Sequence, residues 1–286
     1  MEKRRLGRTG EMLSVVGFGG IVVMKEDPSV ACRYVAQAID RGINYFDVSP
    51  SYGNAEERLG PALEPYRKSV FLACKTKMRN AKDATRYLHD SLKRMRTDHF
   101  DLYQLHEVRT LEEVEEVFAP GGAMEAFVKA REQGLTRYLG FSAHSEEAAL
   151  ASMERFEFDT ILFPINYVVW YGSNFGPRVV EKAKEKGLGI LALKSLARRL
   201  WGTDETHSWS KCWYAPAENY EEADLALRFT LAQPVTAAVS PSDAELLWWM
   251  CDTADKLTPL SQAEYARHEQ MSKGLEPAFP IPKEFW

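Results

Sequence analysis

Eight short apolar runs, rich in β-branched and aromatic residues, recur along the chain, and each is followed by a longer amphipathic stretch. The runs lie at 15–19, 43–46, 70–74, 100–105, 137–141, 160–163, 189–193 and 236–239. The amphipathic stretches lie near 29–40, 55–63, 82–95, 124–132, 145–153, 179–186, 221–231 and 243–252. Strands alternating with helix-length segments call for a parallel sheet with helical crossovers. Eight such units in about 250 residues match an α/β fold of the (β/α)8 TIM-barrel kind. With 286 residues, 45% of them hydrophobic, the chain can bury one large core, so a single domain over 1–286 is expected. A doubly wound open sheet uses the same alternation, but a Gly-rich dinucleotide fingerprint is missing. Gly17-Phe18-Gly19-Gly20 lacks the third spaced glycine and reads as a strand-end turn needing glycine's backbone freedom.

Three segments fall outside the repeat. Residues 6–13 are expected to form an N-terminal β-hairpin capping the bottom of the barrel, and 261–271 an extra C-terminal helix. The connection after strand 7, 194–219, is longer than ordinary strand-to-helix loops and carries Trp201, Trp209, Trp213 and Tyr214. A loop so long and so aromatic reads as a lid over the barrel mouth.

The C-terminal ends of barrel strands face the active site. Asp47, Lys75, His106, Ser142 and Asn166 all fall at or just past such ends, and Tyr52 follows Asp47 on a Pro/Gly-rich loop. Burying an unpaired charge costs several kcal/mol, so Asp47 and Lys75 are expected to pair beneath Tyr52 and His106. Tyrosine is an awkward acid at neutral pH, its ordinary pKa being about 10. A neighbouring ammonium favours the phenolate, so Lys75 is expected to pull the Tyr52 phenol down towards the working range. Asp47 would keep Lys75 charged, and His106 would share the hydrogen bond between a substrate oxygen and Tyr52. Such a site protonates an oxygen that is gaining negative charge, or deprotonates an alcohol in reverse. The remaining need is hydride, which a nicotinamide supplies.

Composition excludes several other classes. The net charge of -5, with acidic and basic residues interspersed, offers no basic stripe for a phosphate backbone, so nucleic acid is not an expected partner. Four scattered cysteines, Cys32, Cys74, Cys212 and Cys251, read as reduced thiols in a cytoplasmic protein, with Cys74 a buried strand thiol. No apolar run is long enough for a bilayer, and no membrane partner is expected. Six histidines without ligand spacing argue against a metal. The run at 111–117 reads as a solvated acidic helix face. A Gly-x-Ser-x-Gly elbow, the mark of many serine hydrolases, is absent.

Gly42-Ile43-Asn44-Tyr45-Phe46-Asp47-Val48-Ser49-Pro50-Ser51-Tyr52-Gly53, the Lys75 strand, Asp101-Leu102-Tyr103-Gln104-Leu105-His106 and Tyr138-Leu139-Gly140-Phe141-Ser142 together resemble the aldo-keto reductase superfamily, as does the opening Leu6-Gly7-Arg8-Thr9-Gly10. The resemblance implies an NAD(P)-dependent oxidoreductase of small-molecule carbonyl or alcohol substrates. It makes Tyr52 the proton donor, tuned by Lys75 and Asp47, with His106 orienting the carbonyl. The second half departs from the pattern. Ser142 matches a nicotinamide-carboxamide contact, but Ala143 and His144 follow it. Pro164 stands at the usual Gln position, so Asn166 is expected to take over that contact. Leu193-Lys194-Ser195 replaces an aromatic that stacks on nicotinamide, leaving Trp201 or Trp213 as substitutes. Ser240-Pro241-Ser242-Asp243-Ala244-Glu245 replaces the usual phosphate turn and its Arg. Asp243 or Glu245 would repel a 2′-phosphate and accept from a ribose 2′-hydroxyl, although the resemblance as a whole favours NADP(H) over NAD(H). Ser240 and Ser242 are expected to cradle phosphate at the next helix N-terminus, with Arg198 or Arg199 reaching across. The expected cofactor contacts are thus Ser142, Asn166, Lys194, Ser195, Arg198, Ser240 and Ser242. Two alternatives accompany this reading: a nicotinamide-binding regulatory subunit without turnover, suggested by the altered phosphate turn, and a sugar dehydrogenase working oxidatively, suggested by the aromatic lid.

Overall fold

The computed structural model describes residues 1–280. Its centre is a closed barrel of eight parallel strands: β1 (Val16–Gly19), β2 (Tyr45–Asp47), β3 (Phe71–Thr76), β4 (Phe100–Val108), β5 (Thr136–Ala143), β6 (Thr160–Pro164), β7 (Gly189–Leu193) and β8 (Ala237–Val239). Each strand pairs with the next, and β8 closes on β1. The helices between strands are α1 (Pro28–Asp40), α2 (Ala55–Leu63), α3 (Ala81–Arg94), α4 (Ala123–Glu132), α5 (Glu146–Arg155), α6 (Pro177–Glu185) and α7 (Tyr220–Ala232), with α8 (Ala244–Asp255) after β8. Shorter helices at Leu111–Phe118 and Tyr167–Gly172 sit in the connections after β4 and β6. The fold is the (β/α)8 barrel that the alternation implied. Among the described residues no helix is long and apolar enough to cross a membrane.

Strand pleat sorts the side chains. Successive residues point to opposite faces, so Tyr45 and Asp47 on β2, Phe71, Ala73 and Lys75 on β3, and Leu102, Gln104 and His106 on β4 share the inward side. Phe46, Leu72, Cys74, Tyr103 and Leu105 belong instead to the shell that packs on the helices. The lower barrel interior is filled by Leu6, Leu13, Tyr45, Phe71, Ala73, Leu102, Leu162, Leu191, Ala237 and Val239. Leu6 and Leu13 come from the N-terminal hairpin, whose strands Lys3–Arg5 and Met12–Ser14 pair antiparallel. That hairpin closes the bottom, as expected from 6–13. The upper layer is polar, and the register explains why: Asp47 lies beside Ala73, and Lys75 beside Gln104.

Helices attach through narrow apolar stripes. On α3 the buried positions are Ala84, Leu88, Ser91 and Leu92, a spacing of one helical face, and each buried Leu contributes about 1.5–3 kcal/mol. Caps fix the starts. Asn80 accepts from Asp83 N, Ser145 from Ala148 N and Asn219 from Glu222 N, while the C-terminal helix Gln262–Ser272 opens on a Ser261–Glu264 capping box.

Two sequence readings change. The strands carrying Lys75, His106 and Ser142 run past these residues, because ladder pairing with neighbours outweighs the break in apolar pattern. The glycines in and just after β1 serve close approach and not backbone freedom: none of Gly17, Gly19 and Gly20 has a positive φ. A Cβ on Gly17 would lie 2.5 Å from the Tyr45 ring, and one on Gly19 would lie 2.6 Å from Ser240 O. The 194–219 connection, expected as a lid, carries a second hairpin, Ala197–Leu200 against Tyr214–Pro216, and contributes Lys211, Trp213 and Tyr214 to the cavity at the barrel mouth.

Candidate active site

At the C-terminal mouth of the barrel a cavity of about 270 Å³ is walled by Asp47, Tyr52, Lys75 and His106 together with Lys77, Glu107, Ser142, His144, Lys194, Lys211, Trp213, Tyr214, Ser240 and Ser242. The four residues expected to act together therefore meet in one space. Asp47 and Lys75 form an ion pair with both side chains 2% exposed. The Asp47 carboxylate also accepts from Gln104 Nε2 at 3.1 Å and from the Tyr45 hydroxyl at 3.5 Å. Burial alone would lower the Lys75 pKa, but the charges and hydrogen bonds of Asp47 and Tyr52 hold it above the ordinary lysine range. Lys75 is a fixed cation.

Tyr52 sits on the turn between β2 and α2, where Tyr52 N bonds to Ser49 O and Ala55 N to Tyr52 O. The next residue, Gly53, has φ +55°, a left-handed conformation that glycine takes without strain. The Lys75 ammonium lies 5.2 Å from the Tyr52 ring centre, and the His106 ring meets that ring edge-on at 5.9 Å. Burial pushes the Tyr52 phenol up, Lys75 pulls it down, and Asp47 pushes it up again; the net direction is upward. This corrects the expected lowering. Desolvation and the Asp47 charge together outweigh Lys75, so the hydroxyl keeps its proton at neutral pH and Lys75 limits how far the phenol rises.

His106 is pushed well below the ordinary histidine range by burial and by Lys75 and Lys77. Its imidazole is neutral, with Nδ1 3.1 Å from Ser49 Oγ. Glu107 was not legible in the sequence as a site residue. It has φ +54° at a register irregularity in the β4–β5 ladder, which turns its carboxylate to the cavity wall. There it meets Lys77 at 2.6 Å and Arg109 at 3.1 Å. Burial would raise the Glu107 carboxyl, but His144, Lys77 and Arg109 hold it at about 2. Burial pushes His144 down to about 3, and its Nδ1 has no hydrogen-bond partner among the described residues.

The expected cofactor residues divide. Ser142, Lys194, Ser240 and Ser242 line the cavity; Asn166, Ser195 and Arg198 do not. Ser142 Oγ accepts from Glu107 N, Ser240 Oγ accepts from Gly19 N, and Ser242 Oγ lies 2.9 Å from Cys212 Sγ. Asn166 is occupied within the scaffold: its Oδ1 caps the Tyr167–Gly172 helix and its Nδ2 donates to Lys194 O. Ser195 is fully buried and its Oγ is without a partner among the described residues. Arg198 pairs with Glu218 and Glu222, and Arg199 with Glu205, so neither guanidinium is free for a phosphate. Asp243 caps α8 by accepting from Glu245 N. Of the aromatics, Trp201 donates to Cys212 O and stacks on His207, and Trp209 packs on Trp249. Trp213 and Tyr214 face the cavity. Lys211, which also lines it, ties the hairpin across the mouth to Val22 O and Glu26. Cys74 is buried, and burial holds its thiol well above the ordinary range. Among the described residues no group of three or more His, Cys, Asp or Glu side chains is placed to hold a metal.

The wall carries Ser142, Ser240 and Ser242 as polar groups together with the Trp213 and Tyr214 rings. It presents no arginine for an adenosine phosphate. The sequence profile of the Aldo/keto reductase family matches residues 16–272. L-galactose dehydrogenase from Arabidopsis thaliana is 27% identical over 84% of this chain and 83% of its own length. An uncharacterized oxidoreductase, YqkF, from Bacillus subtilis is 31% identical over 50% of this chain, which spans about half of that relative's length (49%). An aldo-keto reductase from Bacillus halodurans in its holo form superposes with a TM-score of 0.76 at 24% identity, over 98% of this chain and 99% of the other.

Proposed function

The chain belongs to the aldo/keto reductase family, a family of nicotinamide-dependent carbonyl oxidoreductases, and on that premise we propose that Tyr52 is its proton donor in reversible reduction of an aldehyde, ketone or sugar-like carbonyl. The observation that carries this reading is the convergence of Tyr52, Lys75, Asp47 and His106 on one cavity. A nicotinamide cofactor, NADP(H) in preference to NAD(H), supplies the hydride when bound. Ser142, Ser240 and Ser242, which line the cavity, would help to hold it.

Tyr52 acts as a neutral acid whose hydroxyl bonds to the substrate oxygen. As that oxygen gains negative charge it takes the Tyr52 proton, and the Lys75 ammonium stabilises the phenolate left behind. Asp47 holds Lys75 protonated and in place. The neutral His106 imidazole shares the hydrogen bond to the substrate oxygen and orients the carbonyl. The apolar side chains Leu162, Leu193 and Val239 in the cavity lining keep these charges in a medium where they act strongly. One domain covers the whole chain, and a cytoplasmic location accords with its free cysteines.

Mixing the purified protein with NADPH or NADH and a panel of carbonyls should consume cofactor. Tyr52→Phe should abolish turnover while leaving cofactor affinity within about twofold, since the hydroxyl is needed for proton transfer alone. Turnover at the wild-type rate in that variant refutes the role. A second direction of use, oxidation of a sugar hydroxyl, draws support from Trp213, which is 45% exposed at the cavity rim and offers a face for a sugar ring. Rates with sugars and oxidised cofactor, compared with rates on carbonyls, decide between the two directions.

A further inference from the structure

Four lysines line the cavity, and three of them have carboxylate partners: Lys75 with Asp47, Lys77 with Glu107, and Lys211 with Glu26. Lys194 has none among the described residues. Its ammonium is suspended over two rings, 4.9 Å from the centre of Trp213 and 4.9 Å from that of Tyr214. Such rings stabilise a cation but leave its charge uncompensated. Burial accordingly pushes Lys194 down to about 8.

The backbone under Lys194 is also unusual. Its φ is +65°, a left-handed conformation that is strained for a non-glycine residue. Two hydrogen bonds to its carbonyl accompany that conformation, one from Asn166 Nδ2 at 3.0 Å and one from Ala197 N at 2.9 Å. Lys194 lines the same cavity as Tyr52, Lys75 and His106, so its ammonium shares the space in which a reacting carbonyl would sit.

We propose that Lys194 is a specificity-determining residue that takes an anionic group borne by the substrate, a carboxylate in the simplest case, and that Asn166 is its positioning residue. The inference rests on the proposed carbonyl chemistry for the reaction that the substrate undergoes. The recognition itself is a binding event and is measured separately. A bound carboxylate supplies the counter-charge that the rings lack, and a charge-assisted contact in a shielded cavity discriminates strongly between charged and neutral substrates. Phosphate on the cofactor shares this chemistry and is the competing source of the anion.

Calorimetric titration of the full chain separates the two. The probes are NADP+, and then succinic semialdehyde and butanal, each titrated into protein saturated with NADP+. Lys194→Met should weaken succinic semialdehyde binding at least tenfold while leaving butanal and NADP+ within twofold, and Lys194→Arg should retain most of the wild-type preference. A tenfold loss for NADP+ instead moves the anion to the cofactor and overturns the substrate assignment. Unchanged binding of all three probes overturns any anion-anchoring role. Asn166→Ser keeps a side-chain acceptor for the helix start but is too short to reach Lys194 O. It should weaken succinic semialdehyde three- to tenfold in the wild-type background and have no further effect in Lys194→Met. Equal losses in both backgrounds overturn the positioning role. In a separate assay with NADPH, absence of hydride transfer to either aldehyde would count against the proposed reaction, and the titrations would still report on Lys194.

Discussion

Replacing Lys75 with methionine tests in one experiment whether the buried pair serves stability, chemistry or both. The substitution conserves most of the side-chain length and removes the charge. Asp47, 1% exposed, is then left facing only Gln104 Nε2 at 3.1 Å and the Tyr45 hydroxyl at 3.5 Å. Breaking a buried pair by removing one partner costs about 3–5 kcal/mol, because the remaining charge is uncompensated. A domain of ordinary stability has about 5–15 kcal/mol in total, so Lys75→Met should still fold but with a much lower denaturation midpoint. Adding Asp47→Asn removes the stranded charge and keeps an oxygen for Gln104 and Tyr45, so the double variant should recover to within about 1–2 kcal/mol of wild type. Activity should not follow. Both variants lack the cation that limits the rise of the Tyr52 phenol, and both should lose on the order of 10²–10⁴ in turnover, the usual contribution of positioned acid–base groups. Urea denaturation gives the stabilities, and single-turnover oxidation of NADPH gives the rates. A double variant as unstable as Lys75→Met would refute the stranded-charge explanation. Near-normal turnover in Lys75→Met would refute the role of Lys75 in proton transfer.

Two further predictions concern acid stability and packing. Glu107 lies at about 2 in the folded protein against about 4.3 for an unperturbed Glu, so the unfolded chain takes up this proton first. The stabilisation is complete above about pH 4.3 and is lost as pH falls towards 2, amounting to on the order of 2–3 kcal/mol. Glu107→Gln should flatten the pH dependence of unfolding free energy in that window, and an unchanged slope would contradict it. Gly60→Ala should destabilise by about 1–3 kcal/mol, because a Cβ there would lie 2.3 Å from Arg94 O where α2 meets α3. Thermal melting checks this, and an unchanged midpoint would show that the two helices separate at little cost.

Much of the barrel was legible because a period of two is hard to hide. Runs such as Phe71-Leu72-Ala73-Cys74-Lys75 send alternate residues to the core and to the helices, and a charged residue on the inward set can only lie where the barrel opens. That is why Asp47, Lys75 and His106 could be read as a group before any coordinates. Less legible was whatever depended on partners distant in sequence. Arg198 looked free until Glu218 and Glu222 proved to be beside it. Asn166 has the right chemistry for a carboxamide contact but is committed to a helix cap and to Lys194 O. The direction of the Tyr52 shift depended on weighing desolvation and Asp47 against Lys75, and a sequence supplies the identities of such groups but not their burial.

The cavity charges form a consistent electrostatic pattern once the backbone is considered with them. Lys75 on β3 and Lys77 just past its end each face their own carboxylate, Asp47 inside the barrel and Glu107 at the rim. Glu107 carries a positive φ, and so does Lys194, which lines the same cavity. Non-glycine residues adopt this conformation at a cost, so both sites place a charge where a regular strand would not have put it. The negative one is neutralised by Lys77 and Arg109; the positive one lies over the Trp213 and Tyr214 rings and has no ion-pair partner among the described residues. The strand ends thus supply an acid–base pair that is balanced within the protein, and the loops above them leave one cation to be balanced by what binds.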